Sequence, residues 1–228
     1  MKKVILSISA MLVSVVGFAQ ANVSNVNQIG LVNGALVSQV GATNDSDILQ
    51  IGILNGASVV QAGVSNEADI NQGGFLNGAG VTQDGNSNDA YVGQLGAGNL
   101  AFIDQYGDSN DAVTGQLGFL NYSNTVQIGN DNSATTLQFG LGNGSDIYQE
   151  GEGNFAGVLQ AGFFNSSSTT QLGDYNGAIT VQFGFDNSAT TWQNGTSNGA
   201  LTIQLGDSHM STINQWGAGN GAIVYQSN

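Results

Sequence analysis

The 228-residue chain has no cysteine and no proline, and its only basic residues are Lys2 and Lys3. Without cysteine, it lacks the disulfide framework that stabilises many small secreted domains. Without proline, and without lysine beyond Lys3, it lacks two common devices that blunt an exposed strand edge. Sixteen Asp and Glu remain with no cation to balance them beyond Lys3, which excludes nucleic-acid binding by phosphate neutralisation. The single histidine, His209, has no partners placed as catalysis would require, and reads as a turn substitution. The Gly-rich segments lack the lysine and the strand-to-helix context of a phosphate loop. The longest apolar run, about residues 4–16, is too short for a membrane span. Apolar residues make up 40% of the chain, diluted by 35 glycines and many Asn, Ser and Gln, so a large aliphatic core is not expected. Order must come from repetition, which has to be settled before any local reading.

The repetition is strict. Gln-x-Gly recurs every eleven residues at Gln28, Gln39, Gln50, Gln61, Gln72, Gln83, Gln94, Gln105, Gln116, Gln127, Gln138, Gln149, Gln160, Gln171, Gln182, Gln193, Gln204 and Gln215. Gln226 is in phase although Ser227-Asn228 replaces the rest. Six residues before each Gln stands an Asn, from Asn22 to Asn220, with His209 the one exception. Two residues after that Asn comes only Ala or Ser, and four after it only Val, Ile or Thr. The recurrent positions, Asn and +2, +4, +6 and +8, have a period of two and so mark one face of a strand. β-Branched residues at +4 suit a pleated backbone. The Gly-x-x-Asn segment reads as a tight turn, because Gly and Asn tolerate left-handed conformations.

Consecutive strands on two facing sheets would set +2 against +6 and +4 against +4, keeping the interior width nearly constant. The expected fold is therefore all-β: a two-sheet β-solenoid of 22-residue strand-turn-strand-turn coils, about nine in number, stacked at ~4.8 Å over ~45 Å. Variable positions support 22 over 11. Ile53-Leu54, Phe75-Leu76, Phe119-Leu120 and Phe163-Phe164 precede alternate Asn residues, whereas Val64-Ser65, Asn86-Ser87, Asp108-Ser109 and Asn130-Asp131 precede the others. Each coil has two unlike halves.

In such a stack every Gln amide can donate to the Gln one coil away, as in cross-β ladders. A buried unpaired polar group costs about 1–3 kcal/mol, and a one-residue slip would turn every Gln outward. The nineteen glutamines from Gln28 to Gln226 are thus candidate assembly rungs. Asn33, Asn55, Asn77, Asn99, Asn121, Asn143, Asn165 and Asn187 form a candidate turn ladder. Asp45, Glu67, Asp89 and Asp111 share one phase in four consecutive coils and should form a carboxylate column. Such a column can act as a solvated gatekeeper edge, or as an edge whose repulsion is relieved by acid or divalent cations. The nonapeptide repeat of calcium-binding β-rolls is absent. No catalytic, cofactor-binding or metal-ligating set is visible. The opposite side carries Phe119, Leu120, Phe163, Phe164, Phe183 and Leu205, an apolar surface suited to lateral bundling.

Residues 1–21 read as a secretion signal: Lys2-Lys3, the apolar run, and Ala19-Gln20-Ala21 as a cleavage motif. Cleavage after Ala21 would make residues 22–228 the repeat domain of nineteen half-repeats, the last incomplete, with no separate leader or cap. The pattern Gln-x-Gly-x-x-Asn-x-Ala-x-x-x-Gln, read at Gln50 to Gln61 or Gln182 to Gln193, resembles the curlin repeat of bacterial curli fibres. The resemblance implies an exported subunit of a functional amyloid that forms cell-surface fibres in biofilm matrix. It also implies a homopolymer served by a nucleator subunit, an outer-membrane secretion pore and accessory chaperones. The alternatives are a nucleator, or a non-polymerising secreted adhesin or ligand-binding solenoid. A flat outward threonine array would favour an ice binder, but Thr114, Thr125, Thr136, Thr180 and Thr191 fall on the inward column.

Overall fold

The computed structural model describes residues 21–228, so of the expected signal segment 1–21 all but Ala21 lies outside the described residues. Among those described, nineteen strands are joined by two-residue corners, except that four residues, 173–176, separate β14 from β15. They are β1 (Val23–Leu31), β2 (Gly34–Ala42), β3 (Asp45–Ile53), β4 (Gly56–Val64), β5 (Glu67–Phe75), β6 (Gly78–Asn86), β7 (Asp89–Ala97), β8 (Leu100–Asp108), β9 (Asp111–Phe119) and β10 (Tyr122–Asn130). The remainder are β11 (Ser133–Leu141), β12 (Gly144–Glu152), β13 (Phe155–Phe163), β14 (Ser166–Leu172), β15 (Gly177–Phe185), β16 (Ser188–Thr196), β17 (Gly199–Asp207), β18 (Met210–Ala218) and β19 (Gly221–Ser227). Odd-numbered strands make one ten-stranded sheet and even-numbered strands a nine-stranded one. Every pairing is parallel and sets residue i beside i+22, as for Gln50 and Gln72 or Ala134 and Ala156. This is the two-sheet solenoid of about nine coils expected from the period, and its chemistry repeats at 22 because consecutive half-repeats lie on opposite sheets.

The +2, +4 and +6 side chains fill the space between the sheets. Ala68, Ile70, Ala90, Val92, Ala101 and Ile103 have no solvent exposure, and Gln50, Gln61, Gln83 and Gln105 are equally enclosed. Contacts across the interior are staggered relative to the simple facing inferred from sequence. The Thr114 and Ser123 hydroxyls lie 3.4 Å apart and those of Thr136 and Ser145 3.2 Å apart, joining +4 of one strand to +2 of the next. Each Gln reaches past the facing +2 residue to a main-chain carbonyl, because its longer side chain spans the gap that small Ala or Ser leaves open.

The corners correct one expectation. The left-handed residue is the one before each Asn, for example Leu54 (φ 59°), Leu120 (55°) and Phe164 (57°), and no Asn has positive φ. Non-Gly residues in this region are held there at a cost of about 1–3 kcal/mol each. Stacking offsets that cost: Leu54 N donates to Leu31 O at 3.0 Å and Gly56 N to Asn77 O at 2.8 Å, so corner hydrogen bonds also run between coils.

The glycine two residues after Gln belongs to the strand, not the corner. Gly96 has φ 133°, and a Cβ there would collide with the Gly118 carbonyl of the next coil. Gly199, at the start of β17, has open space where its Cβ would go. Gly96→Ala should therefore destabilise the solenoid by on the order of 4 kcal/mol, while Gly199→Ala changes stability little. Denaturant titration of both variants checks the contrast.

Candidate functional site

The repeated carboxamides form four continuous columns. From Gln28 to Gln204, each Nε2 donates to the Oε1 of the Gln 22 residues later at 2.7–2.9 Å. Gln127, for instance, accepts from Gln105 and donates to Gln149, both at 2.9 Å. The second amide proton crosses to the facing sheet: Gln50 donates to Gly34 O at 3.0 Å, Gln116 to Leu100 O at 2.9 Å and Gln204 to Ser188 O at 3.0 Å. Interior glutamines thus use both protons and their oxygen, which removes the desolvation penalty of burying an amide. The Gln columns do two things at once, locking coil to coil and sheet to sheet.

The asparagines at the corners run the other way. Asn55, Asn77, Asn99, Asn121, Asn143, Asn165 and Asn187 each donate Nδ2 to the Oδ1 of the Asn 22 residues earlier, beginning with Asn33, at 2.9–3.2 Å. The same oxygen also takes the backbone N–H of the following rung, as Asn77 N to Asn55 Oδ1 at 3.1 Å. The column from Asn22 to Asn220 at the opposite corner bonds in the same way, as in Asn110 to Asn88 at 3.0 Å. Within the side-chain ladders, Gln therefore donates to the Gln on its C-terminal side and Asn to the Asn on its N-terminal side. Their side-chain dipoles oppose one another within each coil.

Sequence reasoning did not assign the glycine column a bonding role. Asn77 Nδ2 donates to Gly96 O at 3.1 Å and Asn121 Nδ2 to Gly140 O at 3.2 Å. The invariance of Gly two residues after Gln was the available signal, read instead as a strand-face position that leads into a turn. His209 keeps the backbone half of the Asn pattern, donating its N–H to Asn187 Oδ1 at 3.0 Å, while its Nε2 lies 3.2 Å from Leu205 O.

The acidic residues Asp45, Glu67, Asp89 and Asp111 are direct neighbours on the ten-stranded sheet. A second pair, Asp47 and Asp69, stands beside them two positions along the same outer face. Asp89 is the main cause holding the Glu67 carboxyl above its ordinary range, followed by partial burial. Partial burial, then Asp47, raises Asp69, and partial burial, then Asp111, raises Asp89. Among the described residues no three His, Cys, Asp or Glu side chains converge as a metal site would need.

Two expectations follow from these columns. Gln116→Glu removes both donated bonds and places a carboxylate in a slot only 3% exposed, so it should cost at least about 3 kcal/mol. Leu117→Glu adds the same charge to the neighbouring position, 46% exposed, and should cost little; denaturant midpoints of the two variants test this. Glu67, Asp69 and Asp89 have folded-state pKa values above their unfolded ones, so the folded chain binds protons more tightly. Their penalty is fully present above the raised pKa values and is relieved as pH falls through them toward the ordinary carboxylate range of about 4. Stability should therefore rise as pH falls from neutral toward the ordinary carboxylate range, with a smaller rise in the Glu67→Gln, Asp69→Asn, Asp89→Asn variant, measured by denaturation at constant ionic strength.

Two overlapping stretches, residues 63–96 and 86–118, match the family model of the curlin associated repeat. No curated protein matches the chain. The matched stretches span the end of β4 through β9, and the same 22-residue register of Gln, Gly and Asn continues through the strands on either side. Residues 63–118 are thus curlin associated repeats, set within an array that keeps their register.

Proposed function

We propose that the protein is a structural subunit of extracellular curli-like amyloid fibres, adding copies end to end through open solenoid edges for biofilm matrix and surface adhesion. The observation that carries this reading is the unfinished state of the ladders. Gln215 and Gln226 donate across the interior at 2.9 Å to Gly199 O and Met210 O, but have no Gln beyond them. At the other end, β1 and β2 are edge strands whose Gln28 and Gln39 have unoccupied acceptor oxygens within the array. Each end displays what the other lacks, and a head-to-tail contact that does not close generates a filament. The assembly role of Gln28 through Gln226, and of the Asn corner columns, belongs to this proposal.

Export through the signal at residues 1–21, passage through an outer-membrane pore with accessory chaperones, and growth from a nucleator follow from the same reading. A curlin-repeat solenoid is a structural rather than a catalytic scaffold. The exposed Phe119, Leu120, Phe163 and Phe164, with Phe164 and Phe185 in edge contact at 5.8 Å, supply a surface for lateral bundling. Purified residues 22–228 should convert to fibres with ~4.7 Å meridional diffraction; a chain that stays monomeric would instead support the adhesin or ligand-binding alternative.

A further inference from the structure

The two sheets end unevenly. β1 and β19 both lie in the ten-stranded sheet, while β2 and β18 bound the nine-stranded one. The array of residues 22–228 is therefore a whole number of coils plus one half-coil. If a second copy followed without rotation, its β1 would pair with β19 and a strand's width beside β18 would stay empty. If it turned by half a revolution, its β1 would fill the place beside β18 and its β2 would pair with β19.

Side-chain columns separate the two arrangements independently of strand number. The outer face of β15, β17 and β19 carries Ile179, Leu201 and Ile223 beside a glycine column, Gly177, Gly199 and Gly221, which together form a shallow apolar groove. A matching groove with Gly34, Gly56 and Gly78 and the wall residue Leu36 opens at the far end, on the nine-stranded sheet. The half-turn joins them, with Gly221 meeting Gly34 and Ile223 meeting Leu36 of the next copy. Unrotated stacking would run the same apolar column into Asn25, Asp47 and Asp69. On the other sheet, the half-turn sets Thr212 beside Asn25 and Asn214 beside Asn27. Inside, it sets Ala222 on Ala35 and Ser211 on Ser24, so small residue types match.

The unpaired polar atoms fit the same arrangement. Gln215 and Gln226 then donate to Gln28 and Gln39 of the next copy. Asn22 Nδ2 is buried without a partner, and the half-turn places it above His209. With Nε2 committed as donor to Leu205 O, the Nδ1 of that ring is an acceptor that can stand in for the Asn Oδ1 found at the other rungs.

Resting on the fibre-subunit reading, we infer that successive copies stack head to tail with a half-turn, so the ten-stranded sheet of one continues into the nine-stranded sheet of the next. The acidic column and the apolar groove then alternate sides of the fibre from copy to copy. The chain has no native cysteine, which permits a direct test. In-register neighbours lie at ~4.8 Å, within the Cα separation of about 4.4–6.8 Å that a disulfide spans. Fibres of an Ile223→Cys, Leu36→Cys variant should give, on oxidation, covalent chains longer than a dimer, and Ile223→Cys, Asn25→Cys fibres should not. Each single variant, able to link only laterally, should stop at dimers. Thr212→Cys, Asn25→Cys repeats the test on the other sheet should the first pair not assemble. The reverse pattern, with chains only from Ile223→Cys, Asn25→Cys, overturns the half-turn but leaves end-to-end growth standing. Fibres that link through none of these pairs overturn both, and an unsubstituted chain that makes no fibres removes the reading beneath them.

Discussion

A primary carboxamide has two protons and an acceptor oxygen, and burying one is tolerable only when all three are used. In this solenoid the partner for each Gln is another Gln at a fixed distance along the axis, plus one main-chain carbonyl on the facing sheet. Coil-to-coil register, sheet separation and the direction of the stack all depend on that arrangement. Slipping a strand by one residue would not merely weaken it; every rung would lose its neighbours while an outward residue entered the interior.

The backbone follows from the same constraint. At the glycine column the next coil's carbonyl lies where a Cβ would stand, so glycine there lets the coils stack at the spacing the Gln and Asn rungs need. The left-handed corner residues are tolerated because their N–H groups, too, are bonded to an adjacent coil. Nearly all hydrogen bonding therefore runs along the axis, so a single coil has almost nothing to hold it and stability accumulates with stacking. Against this stand the outward carboxylates of β3, β5, β7 and β9, whose mutual repulsion is strongest in the N-terminal half. The C-terminal half of the same sheet is apolar. One molecule thus combines a face that resists association and a face that favours it.

Much of this was legible in the residues. The eleven-residue phase, the alternation of Ala or Ser, β-branched residue and Gln, and the 22-residue repeat of unlike corners lead directly to two parallel sheets and to the stacking partners of each Gln. The corners were not legible in the same way. Asn is the familiar left-handed residue, yet here the preceding Leu, Ser, Val or Phe adopts that conformation, because Asn is needed in the ladder and the neighbouring coil compensates the strain. The glycine two residues after Gln was legible as a strand-face position, but its need to lack a Cβ was not, because that depends on contact with a coil 22 residues away.

By itself the sequence determined the period, the inward and outward faces, and which residues stack, since each of these is a property of spacing along one chain. Only the tertiary structure decided the opposed directions of the Gln and Asn ladders and the reach of each Gln across the interior. Those depend on which atoms approach in space once the coils close on one another. Spacing names the neighbours of an amide but does not orient it; packing does, because each amide must present its protons and its oxygen to the partners that surround it.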